Sequence, residues 1–281
     1  MSAADQLLVV IDPVARRIDG ESVRIAKDVL CAGAQAKICW PEGVEEFSRA
    51  LARRGGRRPV VVGDDRALLR TVTLLQREPE LPGPALALVP VGTAPSVELA
   101  RSLGVPTGAV AAARAVLDGS PHRLDLLVDD SGGVVLGDLC IPALAPVRAV
   151  PPTVWGTCRS LVRTLVRTPT PVAAAVAHRL RVEADGVLLS DLDRPVAGVS
   201  LASGDGAAHV VVEPRSGAVV RARARAVTVS VGGAPGSAGS LSGDGFRYRA
   251  GPVVTGPVRS RTWTAGSWTL TLPGPSGGGW G

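Results

Sequence analysis

The chain has 281 residues, 46% of them hydrophobic and 20% charged, with a formal net charge of +6. That is enough apolar material for one large or two medium cores, and no run of eighteen apolar residues is present to form a membrane span. Two Phe and one Tyr do not supply the stacking platforms of single-strand binders, so no nucleic-acid partner is expected.

The remaining composition narrows the partners. A positive balance carried almost wholly by arginine favours phosphates or an anionic membrane surface. Cys31, Cys39, Cys140 and Cys158 follow no metal or redox spacing and read as free thiols in a reducing cytoplasm. His122, His178 and His209 are too scattered to suggest a metal site. The first residues carry neither the basic segment nor the apolar length of a signal peptide, which adds to the expectation of a cytoplasmic protein.

In chain order, residues 7–11 read as a strand and 21–30 as a helix burying Val23, Ala26, Val29 and Leu30. A short strand at 36–39 precedes a helix at 44–53, where Val44, Phe47 and Leu51 share a face. A third strand at 58–62 leads into a helix starting at Ala67. A fourth strand at 85–89 is followed by helices near 96–103 and 109–117. The strands are apolar without clean alternation, as expected when helices cover both sheet faces. The fold class is therefore α/β, a doubly wound parallel sheet, over residues 1–128.

From about Asp129 the pattern changes to short strand-like runs punctuated by Asp-Gly and Ser-Gly turns, which predicts an antiparallel β-sandwich over 129–261. A strand over 262–273 is expected to return to the first domain, and 274–281 reads as a disordered tail. One helix, 157–168, interrupts the sandwich. Arg159, Arg163 and Arg167 lie on one face of it, with Trp155 just before. That arrangement suits either a packed amphipathic helix or peripheral contact with an anionic membrane.

Two strand ends carry the chemistry. The first reads Val62-Gly63-Asp64-Asp65-Arg66, the second Pro90-Val91-Gly92-Thr93-Ala94-Pro95-Ser96. Ligands of open α/β sheets gather at such carboxyl ends. Glycine there lets backbone N–H groups approach a phosphate. Asp64 or Asp65 is equally suited to capping the helix that follows, and Arg66 to contacting a phosphate or pairing with either acid. Ser96 is placed to cap the next helix. The first strand ends in Asp12-Pro13, an Asx-Pro turn in its plainest reading.

These segments, together with Ala100-Arg101-Ser102-Leu103-Gly104-Val105-Pro106 and Arg123-Leu124-Asp125-Leu126, resemble the diacylglycerol/sphingosine lipid-kinase family. Its catalytic domain is related to NAD kinases. The family motifs are Gly-Gly-Asp-Gly-Thr, Pro-x-Gly-Thr-Gly-Asn-Asp, Ala-Arg-x-Leu-Gly-Ile-Pro and Arg-x-Ile-Asp-Leu. The resemblance implies ATP and Mg2+ as cofactors, a lipid hydroxyl as phosphate acceptor, and Gly63, Asp65, Arg66, Gly92, Thr93 and Ser96 around the nucleotide. It places Asp64, Asp125 and Asp205 in the catalytic set, with Asp125 and Asp205 organising the metal and Asp125 at the end of a strand. The chain departs from the family at Val62, Asp65, Arg66 and 94–96. It also departs at 249–252, where the family carries an Asp-Gly-Glu segment. Those departures predict little turnover and leave a non-catalytic homologue as the alternative.

Overall fold

The computed structural model describes residues 6–77, 85–143, 178–232, 245–251 and 253–273. The expected helix at 157–168 and the tail at 274–281 lie outside the described residues, as do Trp155, Arg159, Arg163 and Arg167.

The first part is built on four parallel strands: β1 (Gln6–Ile11), β2 (Gln35–Cys39), β3 (Arg58–Gly63) and β4 (Ala87–Pro90), in the order β2-β1-β3-β4. Alternate residues feed two different cores. Leu8, Val10, Val61 and Leu88 face one set of helices, α3 (Val44–Ala52), α4 (Asp65–Gln76) and α5 (Glu98–Ser102). Leu7, Val9, Val60, Val62 and Val89 face the other, α1 (Pro13–Ile18), α2 (Gly20–Gly33) and α6 (Ala109–Asp118). Burial on both faces is why these strands read as unbroken apolar runs.

Local chemistry explains most boundaries, and one differs from expectation. The helix α1 begins directly at Pro13, so Asp12-Pro13 is a helix start rather than a free turn; proline at the first helical position costs no hydrogen bond. Asp19 then separates α1 from α2 and caps it, its carboxylate accepting from the Ser22 amide at 2.9 Å.

Among the described residues, twelve antiparallel strands follow. One sheet runs β6 (Val134–Val135), β5 (Ser120–Asp129), β16 (Ser260–Leu272), β13 (Ala226–Val231), β8 (Leu180–Ala184), β9 (Val187–Ser190). The other runs β12 (Val220–Ala224), β11 (Ala207–Pro214), β10 (Val196–Gly204), β7 (Asp138–Ile141), β14 (Phe246–Ala250), β15 (Val253–Val258). Their inner faces share one core in which the Trp263 ring meets Tyr248 edge-on at 5.2 Å. The fold is thus a parallel α/β layer followed by an antiparallel sandwich.

The two parts are joined by the β5–β16 pair. Its register runs from Trp263↔Asp129 to Leu272↔Ser120. At one end β16 pairs with β13 inside the sandwich. At the other end Leu270 bridges in parallel to Leu86, at the start of β4. Accordingly Leu127 and Trp263 face the sandwich core, while Leu126, Trp268 and Leu270 face the α/β core.

Gly119 closes this junction. A Cβ there would lie 2.2 Å from the Ala115 carbonyl oxygen and 2.4 Å from that of Leu272, both backbone atoms with little room to yield. Gly119→Ala should therefore destabilise the protein by about 3 kcal/mol, the upper range for overpacking. A fall in melting temperature of several degrees checks it; an unchanged melting curve would show that the junction relaxes freely.

Candidate functional site

In a sheet ordered β2-β1-β3-β4, successive connections leave β1 in opposite directions, so the crevice of the fold opens between the carboxyl ends of β1 and β3. Asp12 ends the first strand and Gly63 the second, and the Asp12 amide donates to the Val62 carbonyl at 2.9 Å. Beside them the Val91 amide donates to the Gly63 carbonyl at 2.9 Å, which brings the second turn alongside the first. Gly63, Asp64, Asp65, Arg66, Gly92, Thr93 and Ser96 are therefore gathered around one edge of the sheet.

Both glycines there have their open side filled by this chain. A Cβ on Gly63 would sit 2.7 Å from the Ala67 Cβ and 3.1 Å from the Asp12 Cβ. On Gly92 it would meet the Ser96 Oγ at 2.4 Å and the Asp64 Cβ at 3.4 Å. They allow strand ends and helices to approach one another. Thr93 and Ser96 are likewise engaged locally, the Ser96 hydroxyl donating to the Thr93 carbonyl at 2.9 Å.

The two aspartates divide the capping work. Asp64 is the N-cap of α4, one carboxylate oxygen accepting from the amides of Arg66 at 3.1 Å and Ala67 at 3.0 Å. Asp65, only 4% exposed, turns inward. Its oxygens accept from the amides of Leu99 at 2.8 Å and Ala100 at 2.9 Å, in the first turn of α5. The expected cap of that helix, Ser96, lies instead in the 3-10 turn before it (Ala94–Val97), and a residue 34 positions earlier does the capping. Burial pushes the Asp65 carboxyl above its ordinary range, against the pull of those two amides, and the Asp64 charge adds to the rise.

Asp12 is a second buried acid, 3% exposed. Burial also raises its pKa, opposed first by the Arg70 guanidinium, 3.8 Å away, and reinforced by Asp64. Arg70 in turn stacks over the Phe47 ring at 5.5 Å. Sequence reading missed Arg70; its signal was the four-residue spacing from Arg66 on α4. Arg66 itself is exposed and, among the described residues, pairs with neither Asp64 nor Asp65.

The other two expected catalytic acids are not brought here. Asp125 lies in the middle of β5, opposite Ser267, rather than at a strand end. The Ser267 carbonyl accepts from Gln76 at the last turn of α4, whereas Asp64 caps its first turn. Twelve helical residues separate the two levels, about 18 Å. Asp205 is exposed in the β10–β11 turn, with φ of 50° followed by Gly206 at 71°. Asp185-Gly186, with φ of 48° and 80°, forms the same kind of hairpin turn between β8 and β9. Among the described residues no three acidic, histidine or cysteine side chains are grouped so as to hold a metal ion. Of the segment 249–252, where the family carries its glutamate, Arg249 and Ala250 end β14, and Arg249 donates to the Ala143 carbonyl at 2.9 Å.

The residues present do not fit Mg-ATP. The amides that could cradle a phosphate at the start of α5 are taken by the Asp65 carboxylate. Three acids, Asp12, Asp64 and Asp65, stand at the crevice, and the charges that act on Asp12 from nearby are those of Arg70 and, more weakly, Arg17.

No protein-family model matches the chain, and no curated protein resembles it in sequence. Solved structures resemble it in fold. One is described as "a putative diacylglycerol kinase from Bacillus anthracis str. Sterne"; it superposes with a TM-score of 0.69 at 13% identity, covering 97% of this chain and 98% of that one. A structure of a diacylglycerol kinase from the same organism gives the same TM-score and identity, over 98% and 99% of the two chains. At that identity the likeness is one of fold, and it extends over both layers.

Two predictions follow from the buried acids. Asp65→Ala leaves two amides without acceptors, that of Ala100 buried and that of Leu99 half-buried, a buried one being worth about 1–3 kcal/mol, so it should cost more than Asp64→Ala, an N-cap loss of about 1 kcal/mol. Urea unfolding of the two variants ranks them; equal losses would show that Asp65 is not the bridge. The Asp12 pKa is raised above its unfolded value of 3.8, so the folded state binds more protons just above that pH. Stability therefore falls as pH rises through the folded pKa. Asp12→Asn should raise the melting temperature at pH 7 and lose that advantage below pH 3.8; a gain independent of pH would contradict this.

Proposed function

We propose that this chain is a lipid kinase of the diacylglycerol kinase type by descent, retained as a homologue that transfers phosphate from ATP to lipid slowly or not at all. The single observation carrying this reading is the Asp65 carboxylate bound to the Leu99 and Ala100 amides. A phosphoryl-transfer site works by positioning the nucleotide phosphates and neutralising their charge with metal and basic groups. Here an internal anion occupies the backbone donors beside the crevice, and the acids expected to organise a metal stand on separate elements.

A second reading, an active but divergent kinase, is favoured by one feature. Arg66 is exposed in the first turn of α4, two residues after Asp64, and a guanidinium there could contact a phosphate bidentately. Arg66→Gln is the informative variant for nucleotide binding, because any side chain at Gly92 would displace Ser96 whether or not a nucleotide binds.

The deciding experiment is transfer of labelled phosphate from Mg-ATP to diacylglycerol and sphingoid lipids in mixed micelles. Kinases typically turn over at about 1–100 per second. The expected rate is at least about a hundredfold lower, the usual cost of losing a general base. Asp64→Asn retains a good helix cap, so it tests chemistry rather than folding. Robust turnover abolished by that substitution would establish the active-kinase reading instead.

A further inference from the structure

Away from the crevice, the α/β layer carries a concavity of about 290 Å3 between the edge strand β2 and helix α3. Its floor is apolar, formed by Leu8 and Ala50. Lys37 and Cys39 line it from β2, Arg49 from α3 and Arg53 from the C-cap of that helix. The spacing follows from the elements. Residues two apart on a strand share a face, and residues four apart on a helix share a side. The one acid in the lining, Glu46, is already engaged: one oxygen accepts from the Glu42 amide at 2.9 Å and the other lies 3.9 Å from Arg49. Lys37 and Arg53 are exposed and make no ion pair among the described residues.

We propose that this groove is a binding site for a small phosphate monoester with a compact apolar body. Arg49 and Arg53 close the last turn of α3, where cations complement the helix dipole. That accounts for two of the cations but not for Lys37, which comes from another element and faces the same space. Three cations against one engaged carboxylate match a ligand carrying about −1.5 to −2 charge, whereas a monocarboxylate would leave positive charge uncompensated. Arginine forks and a lysine ammonium are suited to the three terminal oxygens of a phosphate. The apolar floor and a volume at the small end of ligand sites limit the rest of the molecule to about one ring. The site rests on neither reading of the crevice, which lies at the carboxyl ends of β1 and β3.

The half-buried thiol of Cys39, in the wall, gives the site its own reporter. Phenyl phosphate titrated calorimetrically into the full chain at low salt should bind one to one. The double variant Lys37→Gln/Arg53→Gln, altered only at exposed positions, should bind at least about tenfold more weakly, about 1.4 kcal/mol. Saturating phenyl phosphate should slow iodoacetamide alkylation of Cys39, read by peptide mass spectrometry, and leave exposed Cys31 unaffected. Arg66→Gln should bind as the parent does, which separates this site from the crevice. Absence of binding, equal affinity in the double variant, equal protection of both cysteines, or equally tight binding of phenol would each overturn the proposal. Inorganic phosphate binding as tightly as phenyl phosphate would refute the apolar half of the assignment.

Discussion

The β5–β16 pair is the constraint on which the rest of this structure depends. Thirteen residues of β16 belong at one end to the sandwich and at the other to the edge of the parallel sheet. A strand presents opposite faces alternately, so one pair of strands can serve two cores: Trp263 and Leu127 on one side, Trp268, Leu270 and Leu126 on the other. The ladder is tied down by Leu86 and Gly119 at its α/β end and by the Tyr248–Trp263 contact at its sandwich end. The relative placement of the two layers is thereby set by a backbone ladder whose side chains are packed into both cores.

Around that frame, aspartates perform one task repeatedly: they satisfy backbone amides where elements meet. Asp64 caps α4, and Asp65 reaches from α4 to α5. Asp129, at the end of β5, accepts from the Ser131 and Gly133 amides and from the Tyr248 hydroxyl at 3.2 Å. Burial pushes the Asp129 carboxyl up, but the hydrogen bonds and the Arg261 charge outweigh it and hold the group below its usual range. Asp185 accepts from the Arg225 and Ala226 amides, joining the β8–β9 turn to the start of β13. Buried or tightly bound N–H groups need acceptors, and this chain supplies carboxylates.

That habit explains the character of the crevice. A carboxylate and a phosphate compete for the same donors, so an aspartate that stabilises the α4–α5 junction also removes the junction's capacity to hold an anion. Structural economy and nucleotide binding are opposed at Asp65, and the hydrogen bonds of the folded chain resolve the conflict in favour of structure. Arg70 shows the complementary case: it balances Asp12 while resting on Phe47, and so belongs to the packing of α3 and α4 as much as to the crevice.

The sequence by itself determined the class of fold. Apolar runs of strand length alternating with helical periodicity predict a parallel sheet covered on both faces. The Asp-Gly turns of the second half predict hairpins, and at Asp185-Gly186 and Asp205-Gly206 the left-handed backbone is present. These are local or periodic signals, written within a few residues. The sequence also gathered Gly63, Asp64, Gly92 and Thr93, because strand ends of a parallel sheet meet at one edge. It could not show which way each aspartate turns. Asp64 caps its own helix, a contact over three residues that composition already suggests. Asp65 caps a helix 34 residues further on, and Asp125 stands a helix length away from Asp64 because of the register of β5 with β16. Both depend on contacts between distant segments, and only the tertiary structure decides those.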